Sequence, residues 1–138
     1  MTKAELFEFM ASQTLAVLGS ISLEGAPQSA LVEIAVTDKL EIVFDTLDTA
    51  RKYQNLIADR RACFVIGWED EKTVQYEGEA VLLKDRELGW YRSLYVERRV
   101  NANERQNWPG IAYFVVRPRW IRFSDFSHLP PLIEEHTF

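Results

Sequence analysis

Short runs of apolar residues recur along this chain, and turn-forming residues end each run. Such runs predict β-strands joined by tight connections. Seven strands are predicted, spanning residues 15–21, 28–36, 40–44, 62–68, 73–83, 111–116 and 120–123, with the last two joined across Pro118. A sheet built from hairpins has unpaired edges, and closing into a barrel removes them. The pattern therefore favours a mainly antiparallel β-barrel.

Helical patterns lie between these strands. Three helices are predicted, over residues 3–11, 48–59 and 86–99, and Thr2 with Glu5 forms a capping box before the first. The polar residues 101–106 fit either a loop or a frayed helix. The tail, residues 127–138, contains two prolines and has no clear period, so we expect a loop there.

Length and composition predict one globular domain over residues 1–138, because the chain is long enough to bury a core and 47% of it is hydrophobic. The formal charge is 16 − 21 = −5, and no basic stripe is visible. Nucleic acid is therefore not an expected partner. Arg98, Arg99 and Arg105 are interspersed with acids, which indicates a solvated helix face.

Cys63 is the only cysteine, so no intrachain disulfide can form and a thiolate metal site is not expected. It lies in the apolar run A-C-F-V-I-G, which predicts a buried thiol. No apolar stretch approaches the length of a membrane span, and the acidic amphipathic N-terminus is unlike a signal peptide. We therefore expect no membrane partner and a cytoplasmic location.

The segment I-V-F-D-T-L-D-T-A-R-K-Y-Q-N-L, residues 42–56, gives the strongest indication of a ligand. A strand leads into Thr46, and a helix then opens with Arg51 and Lys52 in its first turn. Helix starts present unpaired N–H donors and partial positive charge. Two cations and nearby hydroxyls at such a start fit a phosphate group.

The same residues also fit a structural role without any ligand. Asp48 could be an N-cap, with Arg51 and Lys52 on a solvated face. Asp45 and Asp48 would also repel a phosphate unless they point away.

Motifs for side-chain catalysis are missing. The chain has no dinucleotide-binding glycine motif, Walker loop, H-E-x-x-H or G-x-S-x-G, and both histidines, His128 and His136, lie in the tail. No catalytic residue is assigned. If the protein is an enzyme, we expect a bound cofactor to supply the chemistry.

Four segments together resemble the pyridoxamine 5′-phosphate oxidase-like family of flavin-binding split β-barrels. They are L-A-V-L-G-S-I-S-L-E-G-A-P-Q-S-A-L-V-E-I, F-D-T-L-D-T-A-R-K-Y-Q-N-L, V-Q-Y-E-G-E-A and P-R-W-I-R-F. The resemblance covers roughly residues 6–125, and the second segment is the most specific. It implies a six- to seven-stranded antiparallel split β-barrel with flanking helices, which binds FMN at the interface of a homodimer.

The resemblance also implies roles for individual residues. Thr46, Arg51 and Lys52 would hold the FMN phosphate, with Thr49 and Ala50 nearby, and Asp45 is also counted among the cofactor-binding residues. Thr73 would face the flavin ring, and Trp120 would approach from the partner chain. The residues expected alongside the ring and ribityl chain form the second strand: Gln28, Ser29, Ala30, Leu31, Val32 and Glu33.

Two departures from the family pattern bear on function. The second strand ends in Glu33 where many members have a basic residue, and an anion there would disfavour reduced flavin. The stretch F-S-D-F-S-H-L-P-P does not match the substrate-phosphate segment of true pyridoxamine phosphate oxidases. The expected function is an FMN-dependent oxidoreductase acting on a small redox substrate. The alternatives are a deazaflavin or haem ligand, or a non-catalytic binding or storage module.

Overall fold

A computed structural model describes residues 1–138 as eight strands and four helices. The strands are β1 (Leu15–Ile21), β2 (Pro27–Glu33), β3 (Ala35–Val36), β4 (Ile42–Leu47), β5 (Arg61–Ile66), β6 (Lys72–Leu82), β7 (Ile111–Asp125) and β8 (Leu132–Thr137). The helices are α1 (Lys3–Ala11), α2 (Arg51–Ala58), α3 (Asp85–Arg98) and α4 (Val100–Arg105). None of the helices has the length and apolar character that crossing a bilayer requires.

The sheet closes through the run from Pro27 to Val36. Its strand order is β2-β1-β5-β6-β7-β4-β3, and every pairing is antiparallel. β2 pairs with β1, and only Ile34 separates it from β3, which pairs with β4. The two ends of the sheet thus belong to one stretch of chain. The predicted antiparallel barrel is confirmed.

The prediction of two strands interrupted by Pro118 is wrong. β7 is continuous over Ile111–Asp125, and its register with β6 shifts between Glu77 and Gly78. Glu77 pairs with Trp120 and Gly78 with Pro118, so β7 has one extra residue there. A bulge of this kind leaves a residue out of the ladder, and it accommodates a proline that has no N–H to donate.

The tail also differs from its predicted loop, because β8 pairs antiparallel with the second half of β7. Leu132 lies opposite Asp125, and Thr137 lies opposite Trp120. Arg122 and Glu135 form an ion pair across the two strands. β8 covers backbone groups that the second half of β7 would otherwise expose as an edge.

The sheet has an apolar core on each of its two faces. The larger one fills the barrel and includes Leu18, Phe44, Phe64 and Phe114. The smaller one lies between the barrel and α3 and α4, where Tyr95 packs edge-on against Tyr113.

Of the three arginines predicted to form a solvated helix face, Arg98 is exposed, whereas Arg99 and Arg105 are partly buried. Arg98 and Arg99 donate hydrogen bonds to the carbonyl oxygens of Val36 and Ile34. Arg105 binds the carboxylates of Glu33 and Asp45, both at 2.8 Å. The carbonyl and carboxylate groups around the β2–β3 junction draw these cations inward, a long-range contact that charge patterning along one helix does not reveal.

Replacing Gly78 with alanine should destabilise the barrel. The added Cβ would lie 2.3 Å from the carbonyl oxygen of Arg117, closer than real contacts allow, so the bulge must shift. We expect a loss of about 1–3 kcal/mol in the free energy of unfolding, measured in urea. Gly89→Ala is the control, because nothing lies within 4 Å of its Cβ and alanine favours the interior of α3. Equal effects of the two substitutions would contradict the close approach at Gly78.

Removing Arg105 should also destabilise the fold. Arg105→Leu leaves the carboxylates of Glu33 and Asp45 largely buried without their cation, and we expect a loss of about 3 kcal/mol in urea unfolding. Arg61→Leu is the matched control. Arg61 lies 2.7 Å from Asp59 but is 72% exposed, so its removal should have little effect. A small loss for Arg105→Leu would show that the buried network adds nothing to stability.

Candidate phosphate-binding corner and adjoining groove

Helix α2 begins with two cations and no side-chain cap. Arg51 and Lys52 are its first two residues, and Ala50 is the N-cap residue. Asp48 is therefore not the N-cap that the structural reading of the sequence proposed. Because alanine has no side-chain acceptor, no side chain caps the first N–H groups of α2, which leaves them available to an anion.

These residues line a cavity of about 230 Å³ together with part of β2. Its lining consists of Ser20, Gln28, Ser29, Ala30, Arg51, Lys52 and Asn55. No acidic side chain is among them, although the chain as a whole has net charge −5. Neither Arg51 nor Lys52 forms a salt bridge within the chain. We call this cavity the phosphate corner, because its charge and donors suit that group.

Asn55 ties the phosphate corner together. It is buried, and its side-chain NH₂ group donates to Ser20 Oγ at 3.1 Å and to Gln28 Oε1 at 2.9 Å. Ser20 belongs to β1 and Gln28 to β2, so one side chain of α2 bonds both strands of the hairpin. These bonds fix the start of α2 beside the first half of β2.

The phosphate corner opens into a groove on the outside of the barrel. Two further cavities, of about 460 Å³ and 410 Å³, share Gly19, Ser29, Cys63 and Glu77. Ser29 also lines the phosphate corner. The 410 Å³ cavity reaches Thr73 and Trp120. The groove thus runs from α2 across the sheet toward β7.

Strand register explains how far this groove extends across the sheet. Gly19 pairs with both Ser29 and Cys63, Cys63 pairs with Glu77, and Glu77 pairs with Trp120. The row therefore crosses five strands in four steps, which is about 19 Å at the usual strand spacing. An elongated ligand with an anionic group at one end suits such a row.

Cys63 lies on this outer face and not in the core, so its predicted burial is wrong. Residues of β5 alternate, with Ala62, Phe64 and Ile66 facing inward and the residues between them facing outward. The apolar run concealed that alternation, because Val65 is also apolar yet is 42% exposed. Sequence hydrophobicity alone could not identify the outward residues.

The structure brings only some of the predicted site residues together. Gln28, Ser29, Ala30, Arg51 and Lys52 line the phosphate corner, and Thr73 and Trp120 line the far part of the groove. The remaining predicted residues line none of these cavities: Leu31, Val32, Glu33, Asp45, Thr46 and Thr49. Among them, Leu31 and Thr49 are exposed and Val32 is in the core.

Thr46, Glu33 and Asp45 have other partners. Thr46 is buried on the same face of β4 as Ile42 and Phe44. Its hydroxyl donates to the carbonyl oxygen of Leu47 at 3.3 Å. Glu33 and Asp45 both bind Arg105. Burial alone would lower the pKa of Arg105, but the hydrogen bond and charge of Asp45, with Glu33 adding, raise it. Glu33 and Asp45 thus share one fixed cation.

Ser20 and Asn55 are the polar residues of the phosphate corner that sequence reasoning missed. Asn55 follows Arg51 by four residues, which places both on one side of α2, and this spacing could have signalled it. Ser20 had no such signal, because its role depends on the pairing of β1 with β2 and on the docking of α2.

The closed antiparallel sheet with flanking helices and the groove beside α2 define a split β-barrel. The sequence model for pyridoxamine 5′-phosphate oxidase matches residues 2–125, so the chain belongs to that family. No curated protein sequence is significantly similar to this chain.

Solved structures with the same fold include both haem-binding and FMN-binding proteins. A haem-binding protein from Mycobacterium smegmatis superposes with a TM-score of 0.83 at 20% identity, covering 99% of this chain but only 58% of that chain. A conserved hypothetical protein from Mycobacterium tuberculosis has a TM-score of 0.77 at 25% identity, covering 94% of this chain and 88% of that chain. A pyridoxamine 5′-phosphate oxidase-related FMN-binding protein from Nostoc punctiforme has a TM-score of 0.68 at 9% identity, covering 99% of this chain and 92% of that chain. Similarity at these levels establishes the fold, and the ligand has to be argued from this chain's own residues.

Proposed function

We propose that this protein binds FMN in the groove, with the phosphate in the phosphate corner, and acts as an FMN-dependent oxidoreductase. The observation behind the proposal is the acid-free cavity at the uncapped start of α2, lined by Arg51 and Lys52. Two unpaired cations and free N–H groups suit a dianion better than any neutral ligand.

The far part of the groove supplies a surface for the ring. Thr73 offers a hydroxyl and Trp120 an aromatic face, and both line the 410 Å³ cavity. Arg122 lies over the ring of Trp120, with 5.5 Å between the guanidinium carbon and the ring centroid, which holds the indole in place. When bound, FMN would supply hydride transfer, while this chain's residues anchor the phosphate and orient the ring.

The placement of Glu33 removes one objection to a flavin. An uncompensated carboxylate beside the ring would disfavour the reduced, anionic form. Glu33 lines none of the three cavities of the groove, and it is held at 2.8 Å by Arg105, which it shares with Asp45. The departure at this position is therefore compatible with flavin redox chemistry.

A homodimer is part of the proposal. The outer face of β1, β2 and β5 exposes Leu15, Leu31 and Val65, at 38%, 60% and 42%. Register places Leu31 opposite Val17 and Val17 opposite Val65, so these side chains form a continuous apolar row beside the groove. A second copy would cover this row and would close the groove over the ring.

Haem is the second candidate ligand, because its propionates are also anionic and the Mycobacterium smegmatis neighbour is a haem-binding protein. The groove residues fit haem less well. Neither His128 nor His136 lines these cavities, and Cys63 is the one thiol that could ligate iron there. A deazaflavin bearing a phosphate would use the same corner as FMN.

Cofactor titration separates these ligands. We expect the purified protein to retain flavin absorbance through gel filtration after incubation with FMN, and FMN to outcompete haem and deazaflavin in mixtures. Sustained NAD(P)H oxidation by the FMN-loaded protein would then distinguish an enzyme from a passive binding module. Loss of all flavin absorbance from the folded protein would overturn the proposal, and a retained Soret band would favour haem. A cytoplasmic location stays a prediction.

Removing both cations should weaken FMN selectively. We expect Arg51→Ala with Lys52→Ala to reduce FMN affinity by about 2–4 kcal/mol, since two charge-assisted contacts to phosphate are lost. Riboflavin has no phosphate and should bind the variant and the wild type alike. Both ligands can be followed by quenching of flavin fluorescence.

Lys84→Ala with Arg86→Ala is the matched control for that double variant. It removes the same charge from exposed positions around the start of α3, away from the groove. We expect it to leave FMN affinity unchanged. If the two double variants lose equal affinity, the effect comes from net charge and not from the phosphate corner.

The dimer has its own test. Leu31→Arg places a charge in the middle of the apolar row, and we expect the variant to sediment as a monomer with weakened FMN binding. Val100→Arg is the control, because Val100 is 82% exposed on α4, away from the row. An unchanged dimer of the Leu31 variant, or a wild type that is monomeric, would rule out this interface.

A further inference from the structure

We propose that Asn55 is a positioning residue that sets the hydrogen-bonding polarity of the phosphate corner by orienting the amide of Gln28. The inference rests on the proposed function, since it explains why this cavity takes a phosphate. Asn55 contributes no charge, and although it lines the phosphate corner, its side-chain NH₂ group is committed to Ser20 and Gln28.

The hydrogen bonds of Asn55 have a defined direction. Its Nδ2 group has two protons, and it donates to Gln28 Oε1 at 2.9 Å and to Ser20 Oγ at 3.1 Å. Both bonds are made by a buried side chain on α2, which packs against β1. Reversing the bond to Gln28 would require the amides of Asn55 and Gln28 to turn over together.

Orientation of the Gln28 side chain follows from these bonds. A glutamine amide has one oxygen, which accepts, and one NH₂ group, which donates. With the oxygen facing Asn55, the NH₂ group of Gln28 has no acceptor within the chain, and Gln28 lines the phosphate corner. Ser20 has a free donor for the same reason. Its oxygen accepts from Asn55, so its hydroxyl proton can be donated elsewhere.

Donor groups are what a phosphate requires. A dianion accepts hydrogen bonds and donates none, so the Gln28 NH₂ group adds to the donors supplied by Arg51 and Lys52. If the Gln28 amide were turned over, its oxygen would face the phosphate oxygens and repel them. Asn55 therefore selects for an anion without touching net charge.

Two substitutions of Asn55 test this role. Asn55→Asp offers only acceptors at neutral pH, so it should bind the Gln28 NH₂ group and turn the Gln28 oxygen toward the ligand, and its own negative charge adds to the repulsion of a phosphate. We expect FMN affinity to fall about 100-fold and riboflavin affinity to change less than about threefold. Asn55→Leu removes the orientation without reversing it, and we expect a loss of about tenfold for FMN alone. Equal losses for FMN and riboflavin would overturn the proposal.

A double-mutant cycle excludes a merely structural role. If Asn55 acts through Gln28, then adding Asn55→Leu to a Gln28→Ala protein should weaken FMN by less than about threefold. Additive losses would show that Asn55 acts independently of Gln28. Urea unfolding of each variant establishes that the compared proteins are folded.

The orientation can also be observed without any flavin. In the amide NMR spectrum of the free wild-type protein, we expect the Asn55 side-chain NH₂ protons to exchange slowly with water and those of Gln28 to exchange fast. Adding inorganic phosphate should then shift the Gln28 NH₂ signals. The reverse exchange pattern would overturn the inference. Because this measurement uses no flavin, it decides the role of Asn55 even if FMN fails to bind.

Discussion

The barrel depends on one change of partner within the run from Pro27 to Val36. The backbone N–H and C=O groups of an open sheet edge need partners, and this run provides them by pairing with β1 before Ile34 and with β4 after it. The same switch places the first half of β2 beside the β4–α2 connection. The phosphate corner exists because closure of the sheet brings these two segments together.

Charges are sorted between the two sides of this junction. The arginines at the end of α3 and in α4, with Arg99 between the two helices, bind the carbonyl and carboxylate groups near residues 33–36, and Glu33 and Asp45 share Arg105. Arg51 and Lys52 have no acidic partner and lie at an acid-free cavity. In an acidic chain, such a separation leaves a local positive potential at the phosphate corner. This potential favours an anionic ligand over a neutral or cationic one.

Local signals in the sequence predicted much of this molecule. The capping box of Thr2 and Glu5 predicted α1 with its observed bounds, and the cations of α2 pointed to the phosphate corner. Features that depend on distant partners were missed. Arg105 looked solvated because its acids are distant in sequence, and Cys63 looked buried because its apolar neighbours alternate between the two faces of β5.

Other differences arose where a local rule met a tertiary constraint. Pro118 usually ends a strand, but the bulge opposite Gly78 lets β7 continue through it. The two prolines before β8 obscured a strand that pairs with β7. Asn55 had no recognisable motif, since its importance depends on β1 and β2 lying side by side.

A crystal structure of the protein grown with FMN tests the central claim most directly. The account predicts that the phosphate lies between the first N–H groups of α2, the side chains of Arg51 and Lys52, and the amide of Gln28, with the flavin ring extending toward Trp120. A phosphate in bulk solvent or elsewhere on the barrel, with Arg51 and Lys52 pointing away from it, would contradict the account.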